Sequence, residues 1–157
     1  MNATEVLDGC CLCQRTRFRV RGAPAHVSYC HCRMCRKATG GPYSVMATFP
    51  GNAITWHSAP AWRRSSPLAQ RAFCAECGSP LGFKYDDSDF VSIPLGAFDD
   101  AERLIPMHHG SIETKLSWVR VDDHLPSERC DDDPDYRKLV AETGWTPPFD
   151  PQEEPRA

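Results

Sequence analysis

Cys74-Ala75-Glu76-Cys77-Gly78 is the stretch on which the reading of this chain turns. A tight C-x-x-C turn presents two sulfurs to one point, and Gly78 supplies the permissive backbone that such a knuckle needs. Two sulfurs are half of a tetrahedral zinc set. The other half stands some sixty residues earlier, in Cys11-Leu12-Cys13. In an extended chain the side-chain period is two, so both of those sulfurs can face one side. One ion joining the two pairs would tie the first strand region to the middle of the chain. Four thiolates on zinc make a closed, structural site.

Between the pairs lies Cys30-His31-Cys32-Arg33-Met34-Cys35. Three cysteines supply three ligands and leave one coordination position open. A thiol entering that position loses its proton and becomes a nucleophile, and the metal can also polarise a carbonyl oxygen. The competing reading is a second structural site closed by His108 or His109. His31 lies between two ligands and, in extended chain, points the other way, where it can serve as a proton acceptor or supporting group; the alternative for each of these histidines is an ordinary exposed or core residue. Cys10 breaks the clean pairing beside Cys11 and reads as a packing residue or spare thiol. Cys130 stands alone among acids and does not read as a ligand.

Composition bounds the alternatives. A chain of 157 residues fits one domain, and with 14 prolines it gains from a metal staple. No apolar stretch reaches the length of a membrane span, and Met1 to Gly9 lacks the basic and apolar regions of a signal peptide. A soluble, cytoplasmic protein with no membrane partner is expected. Thiols stay reduced there, and nine is an odd count, so metal ligation is favoured over a disulfide framework. Residues 131–157 carry eight acids and three bases, a net of −5, which leaves the body at +2. No dense basic stripe is present, so no nucleic-acid partner is expected.

The rest of the pattern points to a mainly β fold. Residues 15–21 alternate polar residues with Thr16, Phe18 and Val20. Residues 26–30, 43–49, 53–57, 81–85, 90–95 and 116–121 are rich in β-branched and aromatic residues and predict strands. Arg33 to Thr39 predicts one short helical turn, ended by Gly40-Gly41-Pro42. Frequent prolines exclude long helices before residue 130. One helix is predicted over 134–143, with Pro134 in its first turn, Leu139 and Val140 on its apolar face and Gly144 as its stop. Residues 1–130 are expected to form a zinc-binding β domain. Residues 131–157 are expected to form an acidic, Pro-rich extension, ill-ordered from Thr146.

Taken in order, these motifs resemble the glutathione-dependent formaldehyde-activating enzymes, a family also represented by centromere protein V. The resemblance is carried by Gly9-x-Cys11-x-Cys13, Cys30-His31-Cys32-Arg33-Met34-Cys35-Arg36-Lys37 and Gly40. It continues through Arg71-x-Phe73-Cys74-x-x-Cys77-Gly78-Ser79-x-Leu81 and Gly96-x-Phe98-Asp99. It ends with the histidines at 108–109, Lys115-x-x-Trp118 and Asp123-x-Leu125-Pro126, covering roughly residues 7–127. Gln14 stands where the family commonly has glycine.

The resemblance implies several coiled antiparallel β-sheets stapled by zinc, with one short C-terminal helix. It assigns Cys11, Cys13, Cys74 and Cys77 to a structural zinc, and Cys30, Cys32 and Cys35 to a catalytic one. The implied activity is of carbon–sulfur lyase type, joining glutathione to formaldehyde as S-hydroxymethylglutathione. Glutathione carries carboxylates, so cations are expected at its site. Arg36 and Lys37 are the first candidates, with Arg33, Arg71, Lys84 and Lys115 behind them. Trp56, Trp62 and Trp118 are candidates to line a pocket. Two alternatives stand beside the enzyme: a non-catalytic, zinc-stabilised module that docks a protein surface, and a glutathione carrier without turnover.

Overall fold

A computed structural model describes residues 5–121 and 124–144. The described residues form ten strands. They are β1 (Val6–Cys10), β2 (Arg17–Arg21), β3 (His26–Cys30), β4 (Ser44–Pro50), β5 (Ile54–Trp56), β6 (Ala61–Ser66), β7 (Ala69–Phe73), β8 (Pro80–Tyr85), β9 (Phe90–Pro94) and β10 (His108–Gly110). Two α-helices join them, α1 (Arg33–Thr39) and α2 (Pro134–Thr143). The mainly β reading therefore holds. Among the described residues, no helix is long and apolar enough to cross a membrane. The expectation for Thr146 onward lies outside the described residues.

The chain divides into two compact units, one of residues 1–27 with 45–106, the other of residues 28–44 with 107–157. The first holds a three-stranded antiparallel sheet in the order β1-β2-β5. It also holds five strands of the larger sheet in the order β4-β9-β8-β7-β6, again antiparallel. Alternation explains the core. In β2, Phe18 and Val20 are buried while Arg17 and Arg21 are exposed. Phe18, Phe49, Leu7, Leu81, Ile93 and Leu104 are the largest apolar side chains sealed inside. Cys11 and Cys74 belong to the same buried cluster, so two of the predicted ligands are set in the core itself.

Four strands were not legible in local propensity: β1, β6, β7 and β10. β7 has Phe73 as its one strong strand former. β1 contains Asp8 and Gly9, both poor strand formers. Its glycine answers a tertiary demand: a Cβ there would lie 2.3 Å from the Ala97 carbonyl oxygen and 2.4 Å from Phe18 Cζ. β6 carries Arg63 and Arg64, charges that suit an edge strand. β10 has three residues only. The strand expected at 116–121 does not form. Val119 N–H donates to the Leu116 carbonyl in a turn, which buries Val119 and leaves Trp118 68% exposed.

In the second unit, β10 pairs with β3 in parallel, with Ser28, Tyr29 and Cys30 opposite His108, His109 and Gly110. Arg33–Thr39 is a helix of seven residues rather than a single turn. Gly40 ends it in the left-handed region at φ 76°, and its N–H donates to the Arg36 carbonyl. Helix α2 occupies the predicted span. Asp133 caps its N-terminus by accepting from Asp135 N–H at 2.9 Å, and Gly144 closes it at φ 62°.

Gly9→Ala tests the close approach of β1 to Ala97. It should lower stability by about 3 kcal/mol, since a backbone oxygen cannot swing away as a side chain could. Urea denaturation of the zinc-loaded protein reads this; a loss below the error of the fit would contradict the packing described.

Candidate metal centres

In the first unit, four sulfurs converge. Cys11 and Cys13 follow β1, Cys74 follows β7 and Cys77 precedes β8, and all four Sγ atoms lie within 4.8 Å of one another. Cys11 and Cys13 are 3.4 Å apart, and Cys13 and Cys74 are 3.8 Å apart. Thiolates on a tetrahedral zinc at ~2.3 Å stand ~3.8 Å from each other, so the donor set fits that ion. Both loops are shaped for it. Gly78 sits at φ 74° with its N–H on the Cys74 carbonyl at 2.9 Å. Gln14 adopts φ 60° as its N–H meets the Cys11 carbonyl at 2.9 Å. The turn after Cys13 thus requires the left-handed backbone that favours glycine, and this chain meets it with glutamine.

Protonation shows why the set calls for a cation. The Ser79 hydroxyl and then its backbone amide pull the Cys77 thiol down to about 5. The Arg15 amide also favours the Cys13 thiolate, but Cys11 and the other crowded sulfurs outweigh it and push Cys13 up to about 12. Four neighbouring thiols cannot all ionise unless a positive ion takes the place of their protons. Thr16 N–H donates to Cys11 Sγ at 3.3 Å, and Leu12 N–H reaches Ser79 Oγ at 3.1 Å, which orients the ligand loops.

The second unit gathers the triplet. Cys30 ends β3, Cys32 caps α1 and Cys35 lies in its first turn, with the three sulfurs within 4.8 Å of one another. Cys30 and Cys32 are 3.4 Å apart, and Cys32 Sγ accepts from Cys35 N–H at 3.2 Å. Hydrogen bonding with Cys32, then Cys35, and then burial push the Cys30 thiol well up. A bond with Cys30 favours the Cys32 thiolate, but Cys35 and burial outweigh it and push that thiol up to about 12. This set also suits a cation, and among the described residues it offers three donors rather than four.

Neither His108 nor His109 joins the three sulfurs. His109 is buried, with Nδ1 2.8 Å from His31 Nε2 and its ring stacked on Tyr29 at 4.5 Å. His108 pairs with Glu128 at 3.4 Å. His31 is fully buried, and its backbone is held from both sides: its N–H donates to Gly110, and its carbonyl accepts from Thr114 Oγ1 at 3.0 Å. The two histidines therefore brace the loop that carries Cys30 and Cys32. Their pairing was not legible in sequence, because 78 residues separate them.

Arg36 and Lys37 lie on α1 directly after Cys35. Arg36 Nε is buried with no hydrogen-bond partner among the described residues. The later cations are differently engaged: the Arg71 guanidinium lies 4.8 Å from the Phe83 ring centre, and Lys84 Nζ lies 5.1 Å from that of Trp62. Trp56 packs on Phe18 in the core, with ring centres 5.3 Å apart. Cys10 Sγ is 3.7 Å from Asp99 and stays outside the four-sulfur set. Cys130 meets Ser111 Oγ at 2.8 Å and stays outside the triplet.

The family model described as glutathione-dependent formaldehyde-activating enzyme matches residues 6–113. A Halomonas elongata protein carrying the same family designation is 30% identical over 138 residues, covering 80% of this chain and 86% of its own. An uncharacterized lyase of Schizosaccharomyces pombe is 28% identical over 78 residues, covering 50% of this chain and 57% of its own. A Rhodobacter sphaeroides protein of known crystal structure superposes with a TM-score of 0.48 at 16% identity, over 77% of this chain and 99% of that one.

Two substitutions test the four-sulfur centre. Cys74→Ser should abolish cooperative folding, because a structural zinc contributes folding free energy directly; a folded variant holding two zincs would overturn the closed-site reading. Gln14→Gly should raise stability by up to about 1 kcal/mol by relieving the left-handed backbone. A loss of stability in thermal denaturation would show that the turn is not strained.

Proposed function

The chain belongs to the glutathione-dependent formaldehyde-activating enzyme family, and on that premise we propose that it is a zinc-dependent enzyme of carbon–sulfur lyase type. It joins a thiol such as glutathione to formaldehyde or a related small electrophile. The single observation that carries this reading is the three-sulfur set of Cys30, Cys32 and Cys35, with no histidine among its donors. A zinc ion there would supply an open position and lower the pKa of a thiol at it.

The remaining work falls to the chain's own residues. Cys30 and Cys32 hold the reacting centre against the His31–His109 brace, which keeps the ligand loop in one conformation. Arg36 and Lys37 bind substrate carboxylates; their place on α1 directly after Cys35 supports this. In the reaction the thiol loses its proton, and its sulfur forms a bond to the carbonyl carbon. The carbonyl π pair moves to oxygen, which takes up one proton. No electrons are exchanged with an outside oxidant. The Cys11, Cys13, Cys74 and Cys77 centre holds the first unit folded and takes no part in the chemistry.

Exchange between glutathione and ¹³C-formaldehyde, followed by NMR, tests the proposal. The zinc-loaded protein should speed adduct formation above the spontaneous rate. Cys32→Ser should stay folded, hold one zinc and return the rate to the spontaneous value. A wild-type protein that binds glutathione at the spontaneous rate would favour the carrier, and one that ignores glutathione would favour the docking module. Unfolding of Cys32→Ser would make the triplet structural.

A further inference from the structure

A cavity lies within the first unit, on the side of the larger sheet that faces away from its core. Thr48 on β4 stands opposite Ser92 on β9, and Ser92 stands opposite Phe83 on β8. The three therefore share one face, while their neighbours Ala47, Phe49, Val91 and Ile93 are buried on the other. The cavity has a volume of about 310 Å³ and is lined by Thr48, Ser92 and His26 at one end and by Phe83, Tyr85 and Phe90 along its wall. That volume sits at the small end of ligand sites, which run from about 300 to 1,000 Å³.

The polar end is a hydrogen-bonded chain. Thr48 Oγ1 is 3.1 Å from His26 Nε2 and 2.8 Å from Ser92 Oγ. A hydroxyl has one proton to give and two lone pairs to receive with. If Thr48 donates to His26, then Ser92 donates to Thr48 and keeps its own lone pairs. If His26 donates to Thr48, then Thr48 donates to Ser92, whose proton is unspent. In either direction Ser92 retains capacity for one further partner, and the chain reverses to suit whether that partner gives or takes a proton. Thr48 is 5% exposed, so Ser92 and the exposed His26 are the members that can reach a guest, and Ser92 is the one that shares a face with Phe83.

The wall sets the rest of the guest. Phe83 and Tyr85 meet edge to face at 4.9 Å, and Tyr85 and Phe90 are 40% and 43% exposed. Exposed rings beside a polar end favour a flat apolar body that can stack or meet them edge-on. Lys84 Nζ lies 5.1 Å from the Trp62 ring centre, which commits that ammonium to the indole. The geometry points to a binding site for a small aromatic hydroxy compound of the phenol or benzyl alcohol class, its ring against Phe83, Tyr85 and Phe90 and its oxygen on Ser92. The site is independent of the cysteine triplet and of the reaction proposed for it.

Phenol is the probe, titrated into the zinc-loaded full chain and followed by ¹H–¹⁵N NMR. Saturable shifts at Thr48, Phe83 and Ser92 are expected, with cyclohexanol at least several-fold weaker because it lacks the ring. Ser92→Ala should weaken phenol about tenfold, the value of one lost hydrogen bond to a ligand. Phe83→Leu should weaken it too, and the mild Ser92→Ala decides the question if Phe83→Leu unfolds. No saturation up to 10-millimolar-order phenol, equal binding of cyclohexanol, or an unchanged affinity in Ser92→Ala would each overturn the assignment.

Discussion

Crowding of four thiols from two distant loops is the constraint on which the first unit depends. Cys13 and Cys74 stand 61 residues apart in sequence and 3.8 Å apart in space. Closing such a loop costs entropy, and thiols this close resist joint ionisation. The opposing pulls on Cys77 and Cys13 express that conflict within one cluster. A divalent ion bound there would resolve it by replacing protons and would return the stabilisation to the fold. Because Cys11 and Cys74 are part of the buried core, the cysteine loops and the apolar packing share one cluster.

The triplet is built by different means. Its ligands come from a single short stretch, so no long loop has to close. What must be fixed is the orientation of one strand end and one helix start. The parallel pairing of β3 with β10, the His31–His109 contact and the Thr114 bond to the His31 carbonyl do this from one side. The N-cap role of Cys32 does it from the other. Rigid support around a three-donor set is what a site needs if it is to hold a geometry while a fourth ligand comes and goes.

Much of this was legible in the residues. The two sulfur groupings followed from spacing alone, because C-x-C and C-x-x-C-G place sulfurs through backbone geometry that is local. Helix α2 followed from its proline, its apolar pair and its glycine stop. The strands with clear alternation, such as β2, were also readable. The features that escaped depend on partners distant in sequence. β1 is a strand because Gly9 passes close to Ala97, and β10 exists because it has β3 to pair with. The run at 116–121 has strand-like residues, yet Leu116 and Val119 close a turn instead. His31 stands out in sequence by its place between two cysteines, but its partner His109, 78 residues away, could not be named from sequence.

Zinc content with K-edge X-ray absorption on the reduced protein, with and without glutathione, tests the central claim most directly. The account predicts two zincs, one with four sulfur neighbours and one with three sulfurs and a light atom. The second should gain a sulfur when glutathione is added. Two saturated centres that glutathione leaves unchanged would contradict it, and the catalytic role proposed for Cys30, Cys32 and Cys35 would fall.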